Sequence, residues 1–218
     1  MDKLLQNFLL SITIAIPAII GLLRYRLADK QYRPFVYICC LQTLNELLMF
    51  VLIQNQIFTF ISYNLVIPVT CCLYLLQFKK WGLFAGKKFW FASLLTLLMI
   101  VWVADHFLID GYRLHTRTVY FRVFFSLTLV LLSVNSVNRQ IVSEKKNLLQ
   151  NSRFLICMGL IIYYTYRIIL DAFSIKGMSQ NFLMQLGDFN RYLLVGLNIL
   201  FALAALWIPT KKNYTIQF

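Results

Sequence analysis

The chain has 218 residues, of which 60% are hydrophobic, 16% are aromatic and only 13% are charged, and its mean hydropathy is +0.70. Soluble globular domains contain about 45 to 50% apolar and about 25% charged residues, so this composition excludes a disordered chain, a disulfide scaffold and most water-soluble enzyme folds. We attribute the formal net charge of +13 to basic loops that face anionic lipid headgroups, and not to nucleic-acid binding.

Seven continuously apolar segments follow one another along the chain. A hydrocarbon core about 30 Å thick needs roughly 20 apolar residues in a helix. Strands of a membrane barrel would instead alternate apolar and polar residues. The sequence therefore predicts an all-α polytopic membrane protein, a single seven-helix bundle over residues 1–218, with spans at about 4–23, 35–53, 57–78, 89–107, 119–137, 154–173 and 192–209.

The connecting segments predict the orientation, because Lys and Arg accumulate on the cytoplasmic side of a membrane protein. Fourteen cations lie in four alternate segments, namely Arg24, Arg26, Lys30 and Arg33; Lys79, Lys80, Lys87 and Lys88; Arg139, Lys145, Lys146 and Arg153; and Lys211 and Lys212. The other segments hold few cations, which nearby aspartates partly balance. We predict that the N-terminus lies outside and the C-terminus in the cytoplasm.

The five cysteines lie in the predicted cytoplasmic halves of their spans, at Cys39, Cys40, Cys71, Cys72 and Cys157. Disulfides are not expected on that side of the membrane. Adjacent helical residues point about 100° apart and no histidine is near, so we predict no metal site and no cofactor. We interpret the cysteines as small apolar packing residues.

A few ionisable residues lie inside the predicted spans, where such groups are costly and are functional candidates by default. Glu46 lies near the middle of the second span. Arg122 begins the fifth span, and Arg167 and Asp171 are four residues apart in the sixth, where they can pair. Tyr163 extends the same face of the sixth span by one turn.

Most of these polar groups fall between the membrane midplane and the outer surface. We predict an outward-facing polar pocket with Glu46, Asn64, Arg122, Tyr163, Arg167 and Asp171 as ligand-binding residues and Asp105, His106 and Asn198 as secondary candidates. A structural interpretation stays open beside this one. Arg167 and Asp171 would then form an ion pair, Glu46 would bond to Asn64 or a tyrosine across a helix interface, and Arg122 would extend to the surface.

The sequence does not favour catalysis. A metal-dependent hydrolase needs three convergent ligands, whereas the only histidines are His106 and His115. A serine or cysteine nucleophile needs a base within hydrogen-bonding reach, and no G-x-S-x-G motif is present. If the chain were an enzyme, Glu46, or Asp105 with His106, would supply the acid and base.

Two other classes of function remain open. The one-sided polarity favours a sensor or receptor-like module that binds a small molecule or lipid from outside and couples to a cytoplasmic signalling protein. The alternative is a small-solute transporter or channel with three-plus-one-plus-three helices, in which Pro17 and Pro68 would help gating. Surrounding lipids and a homo-oligomer complete the expected partners.

The first ninety residues contain several short motifs, namely Arg24-Tyr25-Arg26, Tyr32-Arg33-Pro34-Phe35, Asn45-Glu46 and Lys80-Trp81-Gly82-Leu83-Phe84. These motifs resemble those of a group of uncharacterised bacterial seven-helix membrane proteins, some of which are encoded beside two-component sensor kinases. The resemblance implies the bacterial inner (plasma) membrane and signalling, and it supplies no catalytic residues.

Overall fold

The computed structural model describes residues 3–55, 60–86, 88–109, 119–143 and 148–210. Within these ranges the chain is helical. The α-helices are α1 (Lys3–Ser11), α2 (Ala15–Leu23), α3 (Arg33–Gln54), α4 (Phe60–Lys80), α5 (Lys88–Ala104), α6 (Val119–Ser143), α7 (Ser152–Ile175) and α8 (Gln180–Leu206).

Six helical segments in the described part of the chain are long and apolar enough to cross a membrane, which confirms a multi-pass helical protein. They are Leu4–Leu23, Lys30–Gln54, Phe89–Phe107, Val119–Val142, Ser152–Ile175 and Asn181–Leu206. Six of the seven predicted spans correspond to these segments. The remaining one, the third, corresponds to α4.

The helices pack in a closed ring that follows the chain order from α3 to α8. Each helix contacts the next, and α8 returns to pack against α1 and α2, which in turn pack against α3. Helix α4 also contacts α6 directly. Because α4 and α6 meet, α5 lies at the periphery of the bundle.

One end of the bundle, which we call the basic end, carries Arg24, Arg33, Lys80 and Arg153. At this end α2, α4, α6 and α8 finish and α3, α5 and α7 begin. Much of the buried core lies in this half, with Phe35, Cys39, Cys71, Leu75, Phe78, Ile156, Cys157, Leu160, Phe201, Ala204 and Ala205 each at most 1% exposed. Small side chains such as Ala204 and Ala205 let neighbouring helices approach closely, as is usual in membrane bundles.

The first span is interrupted in its middle. A 3-10 turn, Ile12–Ile14, separates α1 from α2, whereas a continuous run was predicted over 4–23. The pyrrolidine ring of a proline clashes with the carbonyl of the residue four positions earlier, and Pro17 places that clash at Thr13. The Thr13 hydroxyl donates to the Leu10 carbonyl at 2.7 Å.

Two helices extend well beyond a predicted boundary. α8 begins at Gln180 instead of 192, and α6 continues to Ser143 instead of 137. Asp188 and Arg191 were expected in an external loop, but they lie on α8, where Arg191 Nη1 donates to Asp188 Oδ1 at 2.8 Å. Polar residues end an apolar run without ending a helix, because their side chains pair on its surface.

Candidate functional site

A cavity of about 140 Å³ lies inside the ring, near the middle of the helices. Among the described helices, α1, α3, α4, α6, α7 and α8 line it, whereas α2 and α5 do not. The apolar part of the lining includes Ile14, Ile38, Ile67, Leu194 and Leu197. Charged and hydrogen-bonding side chains converge on the same space, which is the usual composition of a small-molecule site.

Two arginines and one aspartate form a buried charge cluster on the α6 and α7 side of the cavity. Arg122 Nη2 donates to Asp171 Oδ1 at 2.9 Å, and Arg167 Nε lies 3.4 Å from Asp171 Oδ2. Asp171 and Arg122 are 0% and 5% exposed. Arg122 and Arg167 line the cavity, whereas Asp171 lies outside its lining. Asp171 therefore faces two cations, and the formal charges of these three residues sum to +1.

Arg122 retains unused hydrogen-bond donors. Its Nε and Nη1 groups are buried and find no hydrogen-bond partner among the described residues. Leaving a buried donor unsatisfied costs about 1 to 3 kcal/mol, and more when the group is charged. Such groups are rare in folded proteins and call for an explanation at each position.

Glu46 provides the acidic part of the lining, from α3. It is half-buried, and its carboxylate is hydrogen-bonded with the Ser11 side chain at the end of α1. One turn away, Gln42 Nε2 donates to Thr70 Oγ1 of α4 at 3.0 Å. These bonds connect α1, α3 and α4 around the acidic part of the cavity.

Asn198 connects the interrupted first span to the lining. Its Nδ2 donates to Thr13 Oγ1 at 2.8 Å. The Asn198 side chain is buried, and its Oδ1 has no partner among the described residues. The 3-10 turn next to Pro17 therefore lies directly beside the cavity.

An aromatic cluster forms part of the remaining lining. The ring of Tyr164 lies edge-on to Phe125 and Tyr163, with centroids 5.8 and 5.1 Å apart, and Tyr74 contacts Tyr164 at 6.4 Å. Edge-to-face contacts of this kind add about 0.5 to 1.5 kcal/mol per pair. The cluster gives the cavity a well-defined wall that spans α4, α6 and α7.

The structure brings only part of the predicted site to the cavity. Of the six primary candidates, Glu46, Arg122, Tyr163 and Arg167 line it, Asp171 supports the two arginines from behind, and Asn64 is buried in α4 outside the lining. The suggestion that Arg122 extends to the surface does not agree with its burial and its bond to Asp171.

The secondary candidates separate in the same way. Asn198 lines the cavity, whereas Asp105 and His106 do not. Asp105 Oδ2 accepts a hydrogen bond from the backbone N–H of Phe121 at 2.7 Å, and the His106 ring stacks on Trp102 with centroids 5.8 Å apart. Their contacts organise the start of α6 and the end of α5.

Sequence reasoning missed several lining residues, namely Ser11, Thr70, Tyr74 and Tyr164. Serine, threonine and tyrosine are common in membrane helices, and nothing in their spacing distinguished these four from others. A weak signal was present for Tyr164, because it is adjacent to Tyr163 in the span that carries Arg167 and Asp171.

Comparison of this chain with protein-family models, with curated proteins and with solved structures gives no match.

Proposed function

We propose that the protein spans the membrane seven times, with its N-terminus outside and its C-terminus in the cytoplasm. α4 has 21 residues, which at a rise of ~1.5 Å per residue is about 31 Å, close to the thickness of the hydrocarbon core. With seven spans, the segments that carry the fourteen cations share one side, as the positive-inside rule requires. The basic end is then cytoplasmic.

We propose further that the bundle is a receptor-like module that binds a small molecule from outside. The observation that carries this proposal is the packing on the basic side of the cavity. The cavity lies near the middle of the helices, and buried side chains such as Phe35 and Phe78, each at most 1% exposed, fill the space between it and the basic end. A pocket above a tightly packed floor favours binding from one side.

The output of such a module would pass to a cytoplasmic signalling protein that contacts the basic end. The resemblance to proteins encoded beside sensor kinases supports this part of the proposal. The same resemblance supports the bacterial inner membrane as the location. A ligand that binds one of two conformations more tightly shifts the population towards it. The helices that end at the basic end would carry that shift.

Thiol accessibility at position 46 tests the receptor-like proposal. The five native cysteines are replaced by alanine or serine and Glu46→Cys is added, with Leu149→Cys in the same background as the sidedness control because Leu149 is 69% exposed at the basic end. We expect a membrane-impermeant thiol reagent to label position 46 in right-side-out vesicles only. Position 149 should be labelled in inside-out vesicles only. If position 46 were labelled neither in right-side-out nor in inside-out vesicles, the result would contradict the proposal.

A specific observation also favours transport as a second candidate. Transporter sites are often formed where a membrane helix is discontinuous, and the 3-10 turn Ile12–Ile14 lies beside the cavity, where Thr13 bonds to Asn198. Pro68 lies inside α4, between the lining residues Ile67 and Thr70, and lacks the backbone N–H that would otherwise donate within the helix. Labelling of position 46 from both sides would favour this candidate over the receptor.

A further inference from the structure

We propose that the ligand of the cavity is a small amino-acid-like zwitterion, whose carboxylate binds Arg122 and whose ammonium group binds Glu46. This inference rests on the proposed function, because it assigns a chemical class to the ligand of the same pocket. It is carried by three observations, which are the size of the cavity, the unused donors of Arg122 and the distribution of charge around the lining.

The cavity is small. Its volume of about 140 Å³ is close to that of an engineered cavity of about 150 Å³ that binds benzene, and far below the roughly 300 to 1,000 Å³ of drug-sized pockets. A lipid headgroup with its glycerol, a nucleotide or a sugar would not fit. The ligand has on the order of six to eight non-hydrogen atoms.

The anionic group of the ligand is placed by Arg122. Its Nη2 is bonded to Asp171, which leaves the buried Nε and Nη1 without a partner among the described residues. Arg122 is only 5% exposed, and it lines the cavity. A ligand anion that reaches these donors from the cavity would satisfy them with charge-assisted hydrogen bonds, which are stronger than neutral ones.

The cationic group of the ligand is placed by Glu46, on a different helix. Glu46 is half-buried, and its carboxylate is hydrogen-bonded with the Ser11 side chain, which is neutral. An ammonium group can donate to the carboxylate and to the serine hydroxyl together. Carboxylates at this depth are costly unless they are paired or hydrated.

The charge balance decides between a zwitterion and a simple anion. The described charges that line the cavity are those of Arg122, Arg167 and Glu46, and Asp171 lies directly behind the two arginines; the four charges cancel when all are ionised. A molecule with a net charge would leave the site unbalanced in a medium where unpaired charge is expensive. A zwitterion leaves the site neutral, because its carboxylate pairs with Arg122 and its ammonium group pairs with Glu46.

The test uses the purified full-length chain in detergent and measures the midpoint of thermal unfolding. The probes are glycine, alanine, serine, proline and valine. Alaninamide, which lacks the carboxylate, and propionate, which lacks the amino group, are added at matched ionic strength. Since a ligand that binds only the folded state stabilises it, we expect at least one of the five zwitterions to raise the midpoint in a saturable manner. Alaninamide and propionate should have at least about tenfold weaker effects, because each loses one charged contact.

Two conservative variants assign the contacts. Arg122→Lys keeps the cation beside Asp171 and removes the Nε and Nη1 donors, and Glu46→Gln keeps a hydrogen-bond acceptor for Ser11. We expect each to fold and to weaken binding of the zwitterion about tenfold or more. The matched control is Arg191→Lys, because Arg191 pairs with Asp188 outside the lining and its replacement should leave binding unchanged.

The inference is overturned if none of the zwitterions raises the midpoint, if alaninamide or propionate acts as strongly as the best zwitterion, or if Arg122→Lys binds it as the wild type does. The labelling experiment at position 46 separates this failure from failure of the proposed function. If the position is accessible from outside while the zwitterions have no effect, the pocket stands and only the ligand class is wrong. If it is inaccessible, both proposals fail.

Discussion

Asp171 holds the charge cluster together, because it accepts from Arg122 and lies beside Arg167 one turn earlier on its own helix. Its side chain is fully buried, so it has no water to compensate for the loss of either partner. The two arginines depend on it in turn, since they lie close together inside the bundle. The stability of this region therefore depends on one carboxylate more than on either cation.

We predict that Asp171→Asn destabilises the folded protein by about 3 to 5 kcal/mol, because it removes the counter-charge of the buried Arg122 guanidinium. Asp188→Asn is the matched control, since Asp188 and Arg191 are 47% and 35% exposed and the same change there should cost less than about 1 kcal/mol. Denaturation in mixed micelles measures both. Similar effects for the two variants would contradict this role of Asp171.

At the scale of helices, α4 supports the start of α3 through a single side chain. The Gln77 side chain is 1% exposed. Its Oε1 accepts from the backbone N–H of Phe35 at 2.8 Å, and its Nε2 donates to the Gln31 carbonyl at 2.8 Å. The first N–H groups of a helix have no partner within it. Gln77 therefore caps α3 from a neighbouring helix.

Replacement of Gln77 by leucine should lower the free energy of unfolding by about 1 to 3 kcal/mol, since it leaves the buried N–H of Phe35 unpaired. Gln185→Leu makes the same change at an exposed position of α8, and we expect it to be close to neutral. Thermal unfolding of both variants in the same detergent makes the comparison. If Gln77→Leu were as stable as the control, the cap would be unimportant.

For the whole molecule, the number of spans depends on whether α4 crosses the membrane. Asn55 follows α3 directly, and Ala85 lies between α4 and α5; both are exposed. If α4 spans the bilayer, these two positions lie on opposite sides. If it does not, they lie on the same side, and the N-terminus and the C-terminus then also lie on one side of the membrane.

We expect Asn55→Cys, in the cysteine-free background, to react with an impermeant thiol reagent in right-side-out vesicles, and Ala85→Cys to react only in inside-out vesicles. Both residues are exposed at helix ends, so the difference reports sidedness and not burial. Met178→Cys, between α7 and α8, should behave like position 55. Reaction of positions 55 and 85 from the same side would rule out a seventh span at α4.

Much of the fold was predictable, because helices that cross a membrane must satisfy their backbone internally and expose apolar side chains. This requirement leaves long apolar runs in the sequence, which the described helices reproduce. The boundaries of α8 and the break in the first span were not predictable from hydropathy. The start of α8 depends on pairing between polar side chains such as Asp188 and Arg191. The break between α1 and α2 depends on the local effect of Pro17.

The candidate site was predictable to the extent that it contains ionisable residues, which are rare in membrane spans. Glu46, Arg122 and Arg167 stand out for this reason. Which asparagine faces the cavity depends on the rotation of each helix about its axis, and rotation is set by packing. Asn64 and Asn198 are equivalent in the sequence, yet only Asn198 reaches the lining.

The ring of helices is closed by contacts between its first and last members. Arg24 donates to the carbonyls of Ala205 and Ile208 at 3.2 and 3.4 Å, and the backbone N–H of Asp29 donates to the Pro209 carbonyl at 3.0 Å. Since α8 follows α1 to α7 in the chain, these bonds form only after α8 has been synthesised. The cavity needs Asn198 and Leu197 from α8, so it is completed only after the other helices that line it have been made, and until then Arg24 lacks the two carbonyl groups to which it donates.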